Sequence, residues 1–272
     1  MKKKVLAIIC LALAGIAVFT LASCMGKEEK VEDLAYITAN KKLVIGITDF
    51  EPIDFQDASG KWVGFDAELA EKVCEKLGVS AQFQLINWDT KIEELNGKTI
   101  DCIWNGFTVD ADRQKKVSFS KEYMINKQVI VIRKDDASKY TDIASLADAA
   151  LVAESASVGE KAIKANETLK DNTYVGQASQ SDALKEVIAK TADAAVIDFT
   201  MAAYLINKED GDFTSLMILD AKIADDEYYA IGFRKGSDLT EKVNSLLADL
   251  EADGTIKAIA EKYGLSDSLV TK

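Results

Sequence analysis

Short β-rich runs alternate with amphipathic segments along almost the whole chain, and this alternation constrains the fold more than any other feature. In the N-terminal part the alternating segments are residues 43–47, 66–77, 81–85, 91–96 and 100–104. The helix predicted at 66–77 rests on Leu69, Val73, Cys74 and Leu77, which share one face at helical spacing, and Gly78 ends it. Such βαβ alternation predicts a parallel sheet covered by helices on both faces.

The alternation continues in a second set of segments and then returns to the first style. The predicted strands are 128–133, 151–153, 173–175, 194–197 and 228–233, and the predicted helices are 158–165, 182–189, 201–206, 240–250 and 256–263. Residues 36–272 contain no long linker or repeat, so two lobes joined by paired strand crossovers explain the pattern better than separate domains. A turn cluster at 57–60 between Phe55 and Trp62 predicts a hairpin in the first lobe.

The first residues predict export from the cytoplasm. Lys2, Lys3 and Lys4 precede an uncharged apolar run at residues 5–19, which is typical of a secretory signal peptide covering residues 1–23. The apolar run is about 15 residues long, whereas a membrane-spanning helix needs roughly 20. We therefore predict cleavage rather than a retained transmembrane anchor.

The end of this segment resembles a bacterial lipobox, carried by Leu21-Ala22-Ser23-Cys24. The resemblance implies that Cys24 becomes the first residue of the mature protein and carries a diacylglyceryl group. Its two acyl chains on one residue give the two lipid signals that stable anchoring requires. Residues 24–35, rich in Lys and Glu, are then a lipidated tether, and the protein is an extracytoplasmic lipoprotein of the cell membrane.

Composition excludes several classes of function. Cleavage before Cys24 would remove three of the 33 basic residues and none of the 45 acidic residues, so the formal charge moves from −12 to −15. Such an acidic chain is unsuited to nucleic acid, whose phosphates attract clustered Lys and Arg. The chain has no histidine, which excludes the usual zinc sites and His-based catalytic triads. We predict no metal and no cofactor.

Two cysteines remain in the mature part after Cys24 is acylated. Cys74 lies in a predicted helix and Cys102 in a predicted strand. An oxidising compartment permits a disulfide between them, but two small buried apolar side chains explain them equally well. The sequence leaves both alternatives open.

A set of motifs, in order and spacing, resembles the polar amino-acid solute-binding proteins of ABC importers, which form family 3 of the bacterial extracellular solute-binding proteins. The motifs are Gly64-Phe65-Asp66-Ala67-Glu68-Leu69-Ala70, Asn87-Trp88-Asp89, the run at 100–108, Arg113, Phe119-Ser120, the run at 193–198, the run at 229–235 and Asp253-Gly254-Thr255. Together they cover essentially the whole mature chain.

The resemblance implies an α/β type II periplasmic binding protein fold, in which two hinge crossovers join two lobes. Residues 36–126 and 222–272 would form lobe 1 and residues 127–221 lobe 2, with hinges at 126–128 and 220–222. It also implies a function, which is to bind a free amino acid between the lobes and deliver it to an ABC permease and ATPase complex. We expect a monomer.

The resemblance assigns a complementary pair of charges to the ligand's backbone. Arg113 would grip the α-carboxylate, for which a planar guanidinium fork is suited. Asp198 would pair with the α-ammonium, and it follows a buried-looking strand where a doubly wound fold places its ligands. Read without the resemblance, Arg113 is a surface arginine in a polar run and Asp198 is a helix cap.

Further contacts are implied on both sides of the cleft. The Gly106 carbonyl and the Thr108 hydroxyl would bind the ammonium and the carboxylate, and Asn105 lies beside them. In lobe 2, Ser157 and Glu160 have the spacing of a capping box, which places an anion-attracting helix N-terminus there. Ala156 and Ser157 map to carboxylate-binding positions, although this chain has Ser155-Ala156 where the family usually has Gly-Ser.

The pocket for the ligand's side chain is less defined by the sequence. Phe50 and Trp88 fall where the family uses aromatic or apolar walls, and Trp104 is either another wall or core. Asp49 and Glu51 flank Phe50 and could attract a basic or polar side chain, or could simply be solvated. Polar, cystine-like and basic amino acids all stay open.

Two other functions are compatible with this fold. A dehydratase-type enzyme would need a general acid, for which Glu51 or Asp49 would have to serve because no histidine is available. An amino-acid sensory receptor domain would bind the same ligand without an importer. Neither requires a change in the predicted fold.

Overall fold

A computed structural model describes residues 31–270 of the chain. The predicted signal peptide, Cys24 and most of the predicted tether lie outside these residues. Within residues 31–270, no helix is long and apolar enough to cross a membrane. The same residues contain no group of three or more Cys, Asp or Glu side chains arranged to hold a metal ion.

The described residues form two α/β lobes whose elements follow the predicted order. The helices are α1 (Asp33–Asn40), α2 (Phe65–Leu77), α3 (Lys91–Asn96), α4 (Ala111–Lys116), α5 (Val158–Ala165), α6 (Gln180–Ile188), α7 (Phe199–Asn207), α8 (Leu239–Ala252) and α9 (Thr255–Lys262). The strands are β1 (Lys42–Ile47), β2 (Phe55–Gln56), β3 (Trp62–Val63), β4 (Ser80–Leu85), β5 (Cys102–Ile103), β6 (Val117–Phe119), β7 (Met124–Asn126), β8 (Gln128–Arg133), β9 (Leu151–Glu154), β10 (Tyr174–Gln177), β11 (Ala194–Asp198), β12 (Leu216–Ile218), β13 (Glu227–Tyr229) and β14 (Gly232–Arg234).

Lobe 1 is built on a five-stranded sheet with the order β4-β1-β5-β14-β6. Strands β4, β1 and β5 are parallel, whereas β14 pairs antiparallel with both β5 and β6. The prediction of a parallel sheet is therefore correct for only three strands. The predicted hairpin is confirmed, since β2 and β3 pair antiparallel.

Lobe 2 is built on a second five-stranded sheet with the order β10-β9-β11-β8-β12. Strands β10, β9 and β11 are parallel, and β8 and β12 run antiparallel to their neighbours. This sheet is mixed because β8 enters lobe 2 from lobe 1 in the opposite direction to the βα units that follow it.

A pair of short antiparallel strands, β7 and β13, forms where the chain passes between the two sheets. The sequence predicted one strand at 228–233, and this was wrong. The segment is divided at Ala230 and Ile231, because β13 pairs with β7 whereas β14 belongs to the lobe 1 sheet. The predicted hinge positions and lobe boundaries stay predictions.

The carboxyl ends of the parallel strands position the site. In lobe 1, β1, β4 and β5 lead into the loops at residues 48–54, 86–90 and 104–110, and in lobe 2, β9 and β11 end at Glu154 and Asp198. Ligands of open α/β sheets bind at such ends. Cys74 and Cys102 lie elsewhere, as buried free cysteines in one apolar cluster, which agrees with the alternative of two small buried apolar side chains.

Candidate functional site: a closed cleft between the lobes

A narrow cleft lies between the lobes, with a free volume of about 20 Å³. Residues from both lobes line it. They are Thr48, Asp49, Phe50, Trp88, Asn105, Gly106, Thr108 and Arg113 of lobe 1, and Glu154, Ser157, Val158, Gln180, Asp198 and Met201 of lobe 2. The cleft thus brings together nine of the ten predicted ligand-binding residues, the exception being Ala156.

Arg113 is buried at the floor of the cleft and its guanidinium is fixed by lobe 1. Its Nη1 donates to the Thr108 carbonyl at 2.9 Å, its Nε lies 3.2 Å from Asp110 Oδ2, and its Cζ lies 4.6 Å from the Phe107 ring centroid. Of the described residues that line the cleft, it is the one with a positive charge. A fixed, buried guanidinium of this kind is suited to bidentate carboxylate binding.

Asp198 lies at the end of β11, and its carboxylate accepts hydrogen bonds from four side chains. Tyr229 Oη donates at 2.9 Å and Gln128 Nε2 at 3.0 Å, and Asn126 and Gln180 also donate. Burial raises the pKa of Asp198, and the hydrogen bonds from Tyr229 and Gln180 oppose that rise. These four donors therefore hold the carboxylate in one orientation.

A second carboxyl group, Glu227 of β13, shares donors with Asp198. Asn126 Nδ2 and Gln128 Nε2 lie 2.6 and 2.8 Å from Glu227 Oε1, and Thr108 Oγ1 lies at 3.2 Å. Burial and the charge of Asp198 raise the pKa of Glu227 to about 7. The negative charge of this pair is thus concentrated on Asp198, the member that lines the cleft.

The loop after β5 is shaped around Gly106. Its φ of +54° is in the left-handed region, and a Cβ there would lie 2.5 Å from the Phe50 ring, so only glycine fits. Its amide donates to Asp66 Oδ2 at 2.8 Å. Asn105 lines the cleft, but its side-chain amide is engaged with Thr48 and Asp54. It braces the loop, whereas Gly106 and Thr108 present backbone and hydroxyl groups beside it.

Ser157 caps the N-terminus of α5, as predicted, but Glu160 reaches back to the Ala156 amide and not, as a standard capping box would require, to the Ser157 amide. Ser157 Oγ accepts from the Glu160 amide at 3.1 Å, and Glu160 Oε2 accepts from the Ala156 amide at 2.7 Å. The Ala156 amide is therefore engaged with Glu160, and Ala156 does not line the cleft; its φ of +55° is in the region that glycine favours. Ser157 and Val158 do line the cleft, and the first-turn amides of a helix have no helical carbonyl to bind.

Aromatic and acidic side chains form the rest of the lining. Phe50 and Trp88 are buried walls of the cleft, as predicted, and Asp49 lies exposed at its edge. Trp104 is fully buried in the core and does not line the cleft, which decides between its two alternatives. Glu51 does not line the cleft either; it forms an ion pair with Lys208 of lobe 2 at 2.9 Å.

Glu154 is the most consequential residue that the sequence did not single out. It ends β9 and its side chain is buried in the cleft lining. Burial and the nearby charge of Asp198 raise its pKa to about 8. The predicted strand stopped at Ala153, one residue short; extending it would have placed Glu154 at the carboxyl end of a parallel strand, next to Asp198.

Gln180, Gln128, Asn126 and Glu227 were also missed. All four surround Asp198, and they come from three segments that are far apart in sequence. Only Gln180 had a local signal, because it begins α6 at the cleft edge of lobe 2. Asn126 and Glu227 belong to the β7–β13 strand pair, which the sequence did not predict, and Gln128 begins β8 directly opposite Asp198 of β11.

Several contacts join the two lobes across the cleft. Lys161 of α5 lies 3.0 Å from Asp110 Oδ2, and the carbonyl of Ala156 accepts from Arg113 Nη2 at 3.5 Å and from Lys91 Nζ at 3.4 Å. With the Glu51–Lys208 ion pair, these contacts hold the lobes close together. The structure is therefore the closed arrangement of the cleft.

Comparisons with known proteins agree with this geometry. Residues 43–266 match the family model of bacterial extracellular solute-binding proteins, family 3. The arginine-binding extracellular protein ArtP of Bacillus subtilis is 29% identical, over 93% of this chain and 96% of ArtP. The L-cystine-binding protein TcyJ of Escherichia coli is 26% identical, over 96% of this chain and 97% of TcyJ.

A solved structure is similar in fold as well as sequence. An ABC uptake transporter substrate-binding protein from Streptococcus pneumoniae with bound histidine has a TM-score of 0.81 and 29% identity, covering 88% of this chain and 99% of that protein. The family match extends over most of residues 31–270, including every element that lines the cleft. The chain therefore belongs to family 3 of the bacterial extracellular solute-binding proteins.

Proposed function

We propose that this protein is the extracytoplasmic substrate-binding component of an amino-acid ABC importer, and that it binds a free L-amino acid in the cleft between its lobes. One observation supports this most directly. Arg113 and Asp198, a cation and an anion, both lie buried in one cleft and come from opposite lobes. Every free α-amino acid carries the complementary pair.

The ligand would connect the two lobes through its backbone charges. Its α-carboxylate would bind Arg113, Thr108 and the first-turn amides of α5, and its α-ammonium would bind Asp198 and the carbonyl of Gly106. Removing two charges from water is costly unless both are paired. Closure is therefore favourable only when a zwitterion is present to pair with both residues.

The location follows from the N-terminal segment. The lipobox-like Leu21-Ala22-Ser23-Cys24 supports acylation of Cys24 and retention at the cell membrane, where the closed protein would dock on the permease. Replacing Cys24 with alanine should release the mature protein from the membrane fraction, as fractionation and blotting would show. Membrane retention of the variant would contradict the anchoring proposal.

Binding rather than catalysis is the activity that the cleft supports. An enzyme of this fold would need a general acid beside the ligand, and of the two acids that the sequence offered for this role, Glu51 is ion-paired with Lys208 outside the lining. Asp49 is the other, and it lies exposed at the cleft edge. Incubation with a prephenate-type substrate tests this alternative, and we expect no turnover.

A thermal-shift screen of the common L-amino acids tests the proposed function. A ligand that binds only the native state raises its stability, by about 2.7 kcal/mol at a concentration 100 times the dissociation constant. We expect at least one amino acid to raise the melting temperature. No response to any free amino acid would overturn the proposal.

A further inference from the structure

The carboxylate of Glu154 differs from every other buried charge of the cleft because none of the described residues binds it. Among the described residues it accepts no hydrogen bond and forms no ion pair, although the residue is only 5% exposed. Buried charges are otherwise paired or hydrogen-bonded. An isolated acid at the lining of a ligand cleft indicates that its partner comes with the ligand.

The charges of the lining show what that partner must be. Four lining residues are ionisable: Asp49, Arg113, Glu154 and Asp198. If the ligand's carboxylate takes Arg113 and its ammonium takes Asp198, as the proposed function requires, one buried carboxylate is left over. The cleft therefore has one carboxyl group more than the ligand's backbone charges use, and a cationic side chain would pair with its ionised form.

Lys91 does not supply the missing cation. Its side chain is buried near Glu154, but Nζ donates to the Trp88 carbonyl at 2.5 Å and to the Ala156 carbonyl at 3.4 Å. It makes no ion pair with Glu154 among the described contacts, and Lys91 is not part of the lining. Burial and the charge of Arg113 lower its pKa to about 7, so it is a weak counter-ion at neutral pH.

The walls beside Glu154 are also compatible with a cation. Phe50 and Trp88 line the same cleft, and aromatic faces attract guanidinium and ammonium groups, most of all where water is excluded. The Trp88 ring already has two cations near it, since Lys91 Nζ lies 4.6 Å and Arg113 Cζ 6.0 Å from its centroid. A long side chain with an apolar stem and a charged tip matches both the walls and the acid.

We infer that Glu154 is the specificity-determining residue of the cleft and that the ligand is an amino acid with a cationic side chain, a guanidinium or an ammonium. This inference rests on the proposed function. An acidic amino acid would bring a second anion to an unpaired buried carboxylate. Cystine would bring a second zwitterion, whose carboxylate has no cation among the lining residues.

Calorimetry with matched ligands tests this inference. L-Arginine and L-citrulline have nearly the same shape, but only arginine has a charged side chain. In the wild-type protein, arginine should bind on the order of 100-fold more tightly than citrulline, since leaving one member of a buried charge pair unpaired is strongly unfavourable. L-Lysine should also bind more tightly than L-glutamine.

The variant Glu154→Gln keeps the shape of the side chain and removes its charge. We expect it to reduce the preference for arginine over citrulline by about tenfold or more. Glu167→Gln is the matched control, because Glu167 is an exposed acid of the same lobe with a side-chain exposure of 86%. The control should keep the wild-type preference.

Folding of the variant is checked without ligand. Removing an unpaired buried charge is neutral or stabilising, so Glu154→Gln should melt at the wild-type temperature or above, and a clearly lower value would mean that Glu154 has a structural partner. Equal or tighter binding of citrulline, glutamine or cystine to the wild type would overturn the inference and leave the proposed function intact. Failure of every amino acid to bind would overturn both.

Discussion

Asp198 and Glu154 end neighbouring strands of one sheet and line one cleft, yet their surroundings are opposite. Asp198 accepts hydrogen bonds from Asn126, Gln128, Gln180 and Tyr229. Glu154 accepts none from the described residues. Burial raises the pKa of both carboxyl groups, but only Asp198 has hydrogen bonds that oppose the rise.

This difference separates two kinds of recognition. A carboxylate that is held by several donors keeps its charge and orientation without a ligand, as suits a group that every amino acid possesses. A carboxylate without donors is unfavourable when it is ionised and has no partner. It therefore strengthens the binding of a ligand that places a cation next to it and weakens the binding of other ligands. We therefore expect Asp198 to contribute to the affinity for all amino acids and Glu154 to determine the specificity among them.

The largest effect is expected at Arg113, whose charge interacts with both carboxylates. Arg113→Ala should weaken binding of every amino acid by about 3–5 kcal/mol, because the ligand's carboxylate would be buried without a partner. Calorimetry measures this loss. Lys115→Ala, an exposed cation on the same helix, is the control and should bind normally; near-normal affinity in Arg113→Ala would remove Arg113 from the site.

The next largest effect is expected at Asp198. Asp198→Asn should weaken arginine and citrulline alike, each by about 2–3 kcal/mol, because the group it binds is common to both. Titration calorimetry of the two ligands gives the comparison, and Asp171→Asn, an exposed acid of lobe 2, is the control. A loss confined to arginine would reverse the roles of the two carboxylates.

The pH dependence of binding distinguishes the two carboxylates further. Glu154 has a pKa of about 8 in the cleft without ligand, and a cationic side chain would lower it. Binding below pH 8 must then release a proton. The affinity for arginine should therefore rise with pH, by at most about tenfold per pH unit, and should level off above about pH 8.

The measurement is calorimetry at pH 7 in buffers of different ionisation enthalpy. The other charged groups that act on Glu154 are Asp198, Lys91, Arg113 and Asp89, and all of them are retained in Glu154→Gln. The variant should release fewer protons and show a flatter profile. An unchanged profile would mean that one of the retained groups titrates instead.

The smallest effect is expected at Asp49, the third acid of the lining. Because Asp49 is exposed, its interaction with a cationic side chain is screened by water and salt. Asp49→Asn should weaken arginine binding by less than about 1 kcal/mol, and less at high ionic strength than at low. A loss as large as that of Glu154→Gln would transfer the specificity role to the cleft edge.

The sequence predicted the layout of the fold well, because hydrophobic periodicity is a local property. Helix α2 and strand β1 were located within one residue of their observed ends. The division of residues 228–233 between β13 and β14 was missed, since it depends on pairing with strands more than 100 residues earlier. Strand direction was missed for the same reason.

Site residues could be predicted from the sequence where a motif or a charge marks them. They could not be predicted where tertiary contacts determine their role. Arg113 and Asp198 were found through the resemblance and the chemistry of a zwitterion. Asn105 was placed correctly, but only the structure shows that its amide is used by Thr48 and Asp54. Glu154 was overlooked because an acid beside a strand is usually solvated, and its burial is a tertiary property.

The division of roles between Asp198 and Glu154 is tested most directly by combining variants of each carboxylate with ligands that lack the group it is proposed to bind. L-Arginine, L-citrulline and 5-guanidinopentanoate, which lacks the α-ammonium, would be titrated into the wild type, Asp198→Asn and Glu154→Gln. We predict that Glu154→Gln loses most of the preference for arginine over citrulline, and that Asp198→Asn loses most of the preference for arginine over 5-guanidinopentanoate. Each variant should keep the other preference. Loss of both preferences in either variant, or the crossed pattern, would contradict this account.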